Sequence, residues 1–190
     1  MKLLEDLKNY IPYNENEAKD KELIIKCIET FPDILYRTNT IAHMTSSAWV
    51  TNKDHTKILM AYHNIYDSFS WLGGHCDGEE DCLKVAIQEV QEESGIKNVK
   101  AISDKIFSIE ALTVDGHIKK GEYVPCHLHL NVTYLLEADD TEKLRVKEDE
   151  NSAVEWFDFD KAVEASNEKW FRDNVYSKLN RKLREYDENN

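Results

Sequence analysis

Three glutamates, Glu89, Glu92 and Glu93, crowd the end of a segment running from Gly74 to Ile96 (GHCDGEEDCLKVAIQEVQEESGI). At 3.6 residues per turn their carboxylates fall within an arc of roughly 100° on one side of a helix. Leu83, Ala86, Ile87 and Val90 follow the i, i+3, i+4, i+7 spacing of a buried stripe on that helix. The carboxylates therefore lie beside the buried face, where a concave floor could collect them. Like charges this close raise one another's pKa unless a cation offsets them. Mg²⁺ suits such a site, because it is hard, prefers oxygen and is commonly shared with substrate phosphates. Gly73, Gly74 and Gly78 would let backbone approach closely, and Gly95 is placed to cap the helix C-terminus. Three glutamates alone would read as an exposed acidic helix. The glycines, Glu80 and the spacing favour a cation site.

The same residues resemble the Nudix box, G-x5-E-x7-R-E-U-x-E-E-x-G-U with U aliphatic. Gly74, Glu80, Glu89, Val90, Glu92, Glu93, Gly95 and Ile96 match it, and Gln88 stands where the family has arginine. His43 to Val50 as an early strand and Val154 to Asp158 as a late one extend the resemblance, over about Ile41 to Ala165. It implies an α+β fold: a Nudix-type α/β/α sandwich around a mixed sheet, spanning residues 41–165. A helical N-terminal extension (1–40) and a C-terminal helix packed on the domain (166–190) would flank it.

By activity, the resemblance implies a metal-dependent pyrophosphohydrolase that cuts the diphosphate of a nucleoside diphosphate linked to another group. Glu89, Glu92 and Glu93 would hold Mg²⁺ or Mn²⁺, Glu92 or Glu93 would act as base, and Gly74 would supply a backbone contact near the metals. Glu80 would be structural. Glu150, four residues before Val154, would be a further metal-side carboxylate, with Glu148 behind it. The family arginine is expected to orient a glutamate through a charge-assisted bond, about twice as strong as the neutral bond Gln88 can offer. Weakened but metal-dependent hydrolysis is the expectation, and a nucleotide-binding or regulatory domain is the alternative. Isopentenyl diphosphate isomerase shares the fold, but Cys76 and Cys126 do not assemble its catalytic constellation. Homodimers are common among proteins of this kind.

The chain has 190 residues, 41% of them hydrophobic, which suits one domain with attached elements and a real core. A net charge of −13 opposes general affinity for nucleic acid or anionic membranes. A phosphorylated small molecule is still compatible, since divalent ions invert the local field. No apolar run reaches membrane-spanning length and the N-terminus lacks a signal-peptide core. Cys27, Cys76, Cys82 and Cys126 form no CxxC pairing, so they read as thiols of a cytoplasmic protein. His75, Cys76 and Cys82 match no usual zinc spacing.

The elements that must position the carboxylates follow from periodicity. Leu3, Leu4 and Leu7 predict a short helix, and Glu17 to Phe31 a second, ended before Pro32. Ile41 to Val50 and Lys57 to Tyr62 predict a hairpin. His63 to Trp71 reads as an aromatic loop, in which Tyr66, Phe69 or Trp71 could stack on a nucleobase or cover the core. Val99 to Ser108, Ile109 to Val114, His127 to Leu136 and Val154 to Phe159 read as strands, with Asp160 capping a helix to Ala165. His127 and His129 share a strand face and are read as solvated or hydrogen-bonded, outside the site. Phe171, Val175, Leu179 and Leu183 mark a final helix, with Lys178, Arg181, Lys182 and Arg184 on its outer side.

Overall fold

The computed structural model describes residues 1–119, 121–147 and 151–189. In chain order the elements are α1 (Lys2–Asn9), α2 (Glu15–Thr30), β1 (Ala42–Thr51), β2 (Lys57–His63), β3 (Ser68–Ser70), β4 (Leu72–His75) and α3 (Cys82–Ser94). There follow β5 (Val99–Ala101), β6 (Ser108–Val114), β7 (His117–Lys119), β8 (Glu122–Val124), β9 (His127–Ala138), β10 (Asn151–Asp158) and α4 (Phe159–Ala165). The chain closes with α5 (Lys169–Phe171), a π-helical stretch (Arg172–Tyr176) and α6 (Ser177–Glu188). Strands hydrogen-bond in the order β10-β2-β1-β9-β5, with β3 on β2, β4 on β1 and β6 on β9; β7 and β8 form a separate hairpin. The α+β class expected from sequence is the one observed.

Several expectations shift. The helix expected to be capped by Asp160 begins at Phe159, with Asp158 at its N-cap. The run from Val99 to Ser108 is a strand only to Ala101, and chain without a strand then leads into β6. The aromatic loop after β2 contains β3, whose Phe69 pairs with Tyr62 across an antiparallel ladder.

The chain divides into two compact units. The first comprises residues 1–47, 73–86 and 103–134. Here α2 packs on β6 through a buried polar network that hydrophobic periodicity does not reveal. The Glu17 carboxylate, fully buried, accepts from the Tyr10 hydroxyl (2.6 Å), the Tyr13 amide (2.7 Å) and the Ser108 hydroxyl (2.9 Å). Ser108 also reaches Glu110, and Asn131 bridges Glu110 to the hydroxyls of Thr45, Ser47 and Thr133. A carboxylate out of water survives only with such partners. Ile24, Cys27 and Ile28 supply the apolar face of α2, and its N-cap is Asn14, which accepts from the Glu17 amide.

The second unit comprises residues 48–72, 87–102 and 135–190. In it β10 pairs antiparallel with β2, with an irregularity between Asn151 and Ala153. Trp49 stacks on Tyr176 at 5.5 Å between ring centroids, and its indole N–H donates to Asn180. Val175, Leu179 and Leu183 are buried as their spacing predicts. Lys178, expected on the outer side of the last helix, is instead 3% exposed. The neighbouring Leu179 and Asn180 are buried as well, so this turn of the helix is enclosed on more than one side.

Candidate active site and the histidine cluster

Helix α3 begins after Asp81, whose side chain accepts the Lys84 amide at 3.1 Å and caps the first turn. It ends at Gly95, whose φ of +75° is the left-handed conformation that glycine adopts without penalty. A Cβ there would also sit 2.9 Å from that of Arg145, whose amide donates to the Ser94 carbonyl. Gly95 is thus required twice over.

Between these ends the buried residues of α3 are Cys82, Val85, Ala86, Val90, Glu93 and Ser94, whereas Leu83 and Ile87 are only half-buried. The stripe read from sequence is therefore rotated slightly toward the carboxylates. Glu89 is half-buried and Glu93 is 5% exposed. One Glu93 oxygen accepts the Asn151 side-chain amide at 2.9 Å. Asn151 is 1% exposed, and its own carbonyl oxygen is buried without a hydrogen-bond partner. An oxygen of that kind beside a buried carboxylate is a donor set suited to a hard cation. Glu92, with 60% of its side chain exposed, faces Lys147 at 3.5 Å. Gln88 is exposed. Glu150, and Glu148 behind it, lie outside the described residues.

Gly74 is half-buried on β4 in the first unit, next to Gly73. A Cβ at Gly73 would approach Ser46 O to 2.6 Å, so glycine there lets β4 lie against β1.

The three aromatic candidates differ in how much surface they offer. Phe69 meets Tyr62 and Phe157 edge-on at 5.1 and 4.8 Å, and Trp71 meets Phe171 and Tyr176 at 6.2 and 5.8 Å. Both are half-buried among the chain's own rings. Tyr66 is 45% exposed and packs against His63 at 4.4 Å.

Sequence reasoning set the histidines aside, yet in the first unit they converge. His43 on β1, His75 on β4 and His129 on β9 bring one ring nitrogen each to within 4.8 Å of one another. His127 adds a fourth ring, its Nε2 lying 3.3 Å from that of His129. The sequence drew attention to the pair two residues apart on β9 and, separately, to His75 beside Cys76, but not to His43 or to their convergence. His43 and His75 arrive through strand pairing.

A NUDIX domain model matches residues 42–179, which includes β1, the whole box and the chain as far as α6. The chain belongs to the NUDIX family. Membership makes it a hydrolase acting on phosphoanhydride bonds. No curated protein is similar enough in sequence to mark a nearer relative. Among solved structures, a NUDIX-family hydrolase from Clostridium perfringens is 20% identical, covering 74% of this chain and 95% of its own, with a TM-score of 0.54. The C. elegans Ap4A hydrolase, in a binary complex, is 17% identical over 75% of this chain and 96% of its own, with a TM-score of 0.52. The E. coli dihydroneopterin triphosphate pyrophosphohydrolase is 14% identical over 70% and 92%, also at 0.52. At these identities the likeness is one of NUDIX fold.

Proposed function

We propose that this NUDIX chain is a divalent-metal-dependent pyrophosphohydrolase acting on a nucleoside diphosphate linked to another group. The observation that carries this reading is the Glu93–Asn151 pair on the carboxylate side of α3, where a buried carboxylate and an unpartnered buried carbonyl oxygen offer hard donors together. Glu89, Glu92 and Glu93 are the proposed ligands of Mg²⁺ or Mn²⁺, with Glu150 as a further contributor. Bound metal would offset phosphate charge and lower the pKa of a coordinated water.

The chain's own residues do the positioning. Asn151 donates to Glu93 and holds its carboxylate in one orientation. Lys147 lies 3.5 Å from Glu92, and either Glu92 or Glu93 would take the proton from an attacking water. Tyr66, 45% exposed, has the most open aromatic surface for a nucleobase, with Trp71 and Phe69 as the other proposed contacts.

Substrate screening of purified protein with Mg²⁺ and with Mn²⁺ tests the reading. Cleavage within a diphosphate that falls at least about hundredfold in Glu93→Gln supports it. Cleavage unaffected by chelator, or unaffected by Glu92→Gln and Glu93→Gln together, refutes it. The exposed Gln88 in the arginine position favours a second reading, a NUDIX nucleotide-binding or regulatory domain with weak or no hydrolysis. Saturable nucleotide binding without product release would select it.

A net charge of −13 agrees with a small-molecule substrate rather than nucleic acid or a membrane surface. Among the described residues no helix is long and apolar enough to cross a membrane. The free thiols agree with a cytoplasmic location, and a homodimer fits the family pattern.

A further inference from the structure

His43 is the centre of four imidazoles. Its ring lies 5.1 Å from that of His75, 4.9 Å from that of His127 and 4.9 Å from that of His129, centroid to centroid. The His43 Nδ1 sits 2.9 Å from the Asn39 carbonyl oxygen. A carbonyl only accepts, so Nδ1 carries the hydrogen, and in the neutral ring Nε2 presents a lone pair. The Nε2 atom is buried, has no hydrogen-bond partner, and belongs to a residue 3% exposed.

Asn39 is itself fixed. Its amide donates to Asp33 and its side-chain oxygen accepts the amides of Ile41 and Ala42. His127 repeats the arrangement, with Nδ1 2.8 Å from the Pro125 carbonyl and Nε2 turned toward His129. A backbone carbonyl on one ring nitrogen, with the lone pair of the other directed inward, is how metal-ligating histidines are usually oriented. A buried ring nitrogen without a hydrogen-bond partner, amid four imidazoles, is otherwise an unfavourable way to fill a polar pocket.

We propose that His43, His75 and His129, with His127 at the fourth position, form a site for a transition-metal ion of the Zn²⁺ class. The separation of nitrogens on a tetrahedral ion with Zn–N near 2.0–2.1 Å is about 3.3 Å. His127 and His129 already stand at that distance, and His43, His75 and His129, within 4.8 Å, reach it by small side-chain rotations. Imidazole nitrogen selects Zn²⁺, Co²⁺, Ni²⁺ or Cu²⁺ over Mg²⁺, so this site differs in chemistry from the carboxylates of α3. The thiols beside it are engaged with each other, Cys76 and Cys82 being hydrogen-bonded at 3.6 Å. The ion would join β1, the end of β4 and β9, three segments of the first unit far apart in sequence.

The test uses the full chain, stripped of metal by a chelator, then given Zn²⁺ and freed of excess. The expected result is one equivalent of zinc retained per chain. Affinity should fall at least about tenfold in His75→Gln and in His129→Gln, and should be unchanged in Cys76→Ser and in Glu92→Gln. Excess Mg²⁺ should not displace the ion. Because substitutions at His43 could disturb folding, nitrogen-15 spectra of the wild-type imidazoles provide a readout independent of any variant. On zinc addition the His43 Nε2 resonance should move to a metal-bound position. The proposal is overturned if no zinc is retained, if the His75→Gln/His129→Gln double variant retains it as well as wild type, if Cys76→Ser or Glu92→Gln abolishes it, or if the His43 resonance does not shift.

Discussion

Asn151→Asp replaces the amide that holds Glu93 with a second carboxylate in the same place. The original contact is 2.9 Å and both residues are buried, at 1% and 5% exposure. Two full charges at that separation would repel by about 6 kcal/mol at an effective dielectric of 20. The pair escapes most of this by binding a proton, which at pH 7 costs about 4 kcal/mol for a carboxyl of ordinary pKa. Loss of the original charge-assisted bond is worth about 1.5–3 kcal/mol. The protonated pair regains an O–H···O⁻ bond of similar strength, so a net loss of about 4 kcal/mol at neutral pH follows, or roughly 8–16 °C in Tm for a chain of this length.

The sign of the pH dependence is fixed. The folded variant holds a proton that the unfolded chain has released, so its stability falls as pH rises. Calorimetry at pH 8 and pH 5.5 should therefore show a large deficit at the first and a small one at the second. Asn151→Ala, which removes the donor without adding charge, should lack most of that pH dependence. Added Mg²⁺ should recover part of the Asn151→Asp deficit. A Tm within about 2 °C of wild type at pH 8, or an equal deficit at both pH values, would refute the argument that Glu93 is a buried carboxylate oriented by Asn151.

Gly95→Ala should lower Tm, because a left-handed backbone costs an L-residue about 1–2 kcal/mol and its Cβ would meet Arg145 at 2.9 Å; an unchanged melting curve contradicts this. Gln88→Arg should raise the rate of hydrolysis, and Lys147→Ala should lower it by at most about fivefold, since the Lys147–Glu92 pair is partly exposed; steady-state kinetics with Mg²⁺ checks both, and an unchanged rate in Gln88→Arg removes position 88 from the mechanism. Burial raises the Glu168 carboxyl pKa. Its ionisation therefore costs the fold stability at neutral and alkaline pH, a cost absent below the unfolded pKa. Glu168→Gln should accordingly melt higher than wild type at pH 8, with the difference shrinking toward pH 4.

Much of this was legible in the chain because it rests on local rules. The box has fixed spacing, Gly95 has a conformational requirement, and α1, α2, β1, β2 and the buried stripe of α6 follow simple periodicity. What was not legible depends on residues distant in sequence. Glu17 reads as a solvated charge until Ser108 is folded against it. The four histidines come from three separate strands, and only two are near neighbours in sequence. Asn151 carries no motif, and its role exists only because β10 brings it to Glu93. Lys178 was misplaced because a helical projection assigns each position to one side, while packing in the second unit encloses more than one side. The break after Ala101 was hidden because Ile102 and Ile106 continue the apolar pattern without continuing the strand.

The Glu17 carboxylate also bears on how this protein is made. It emerges from the ribosome 91 residues before Ser108, the hydroxyl that helps to neutralise its enclosure. Until that later segment is synthesised, α2 lacks β6, the strand its inward face packs on, so the leading helices must wait. Nascent chains halted short of β6 should hold their first thirty residues loosely and open to proteases. Chains released beyond β9 should protect them.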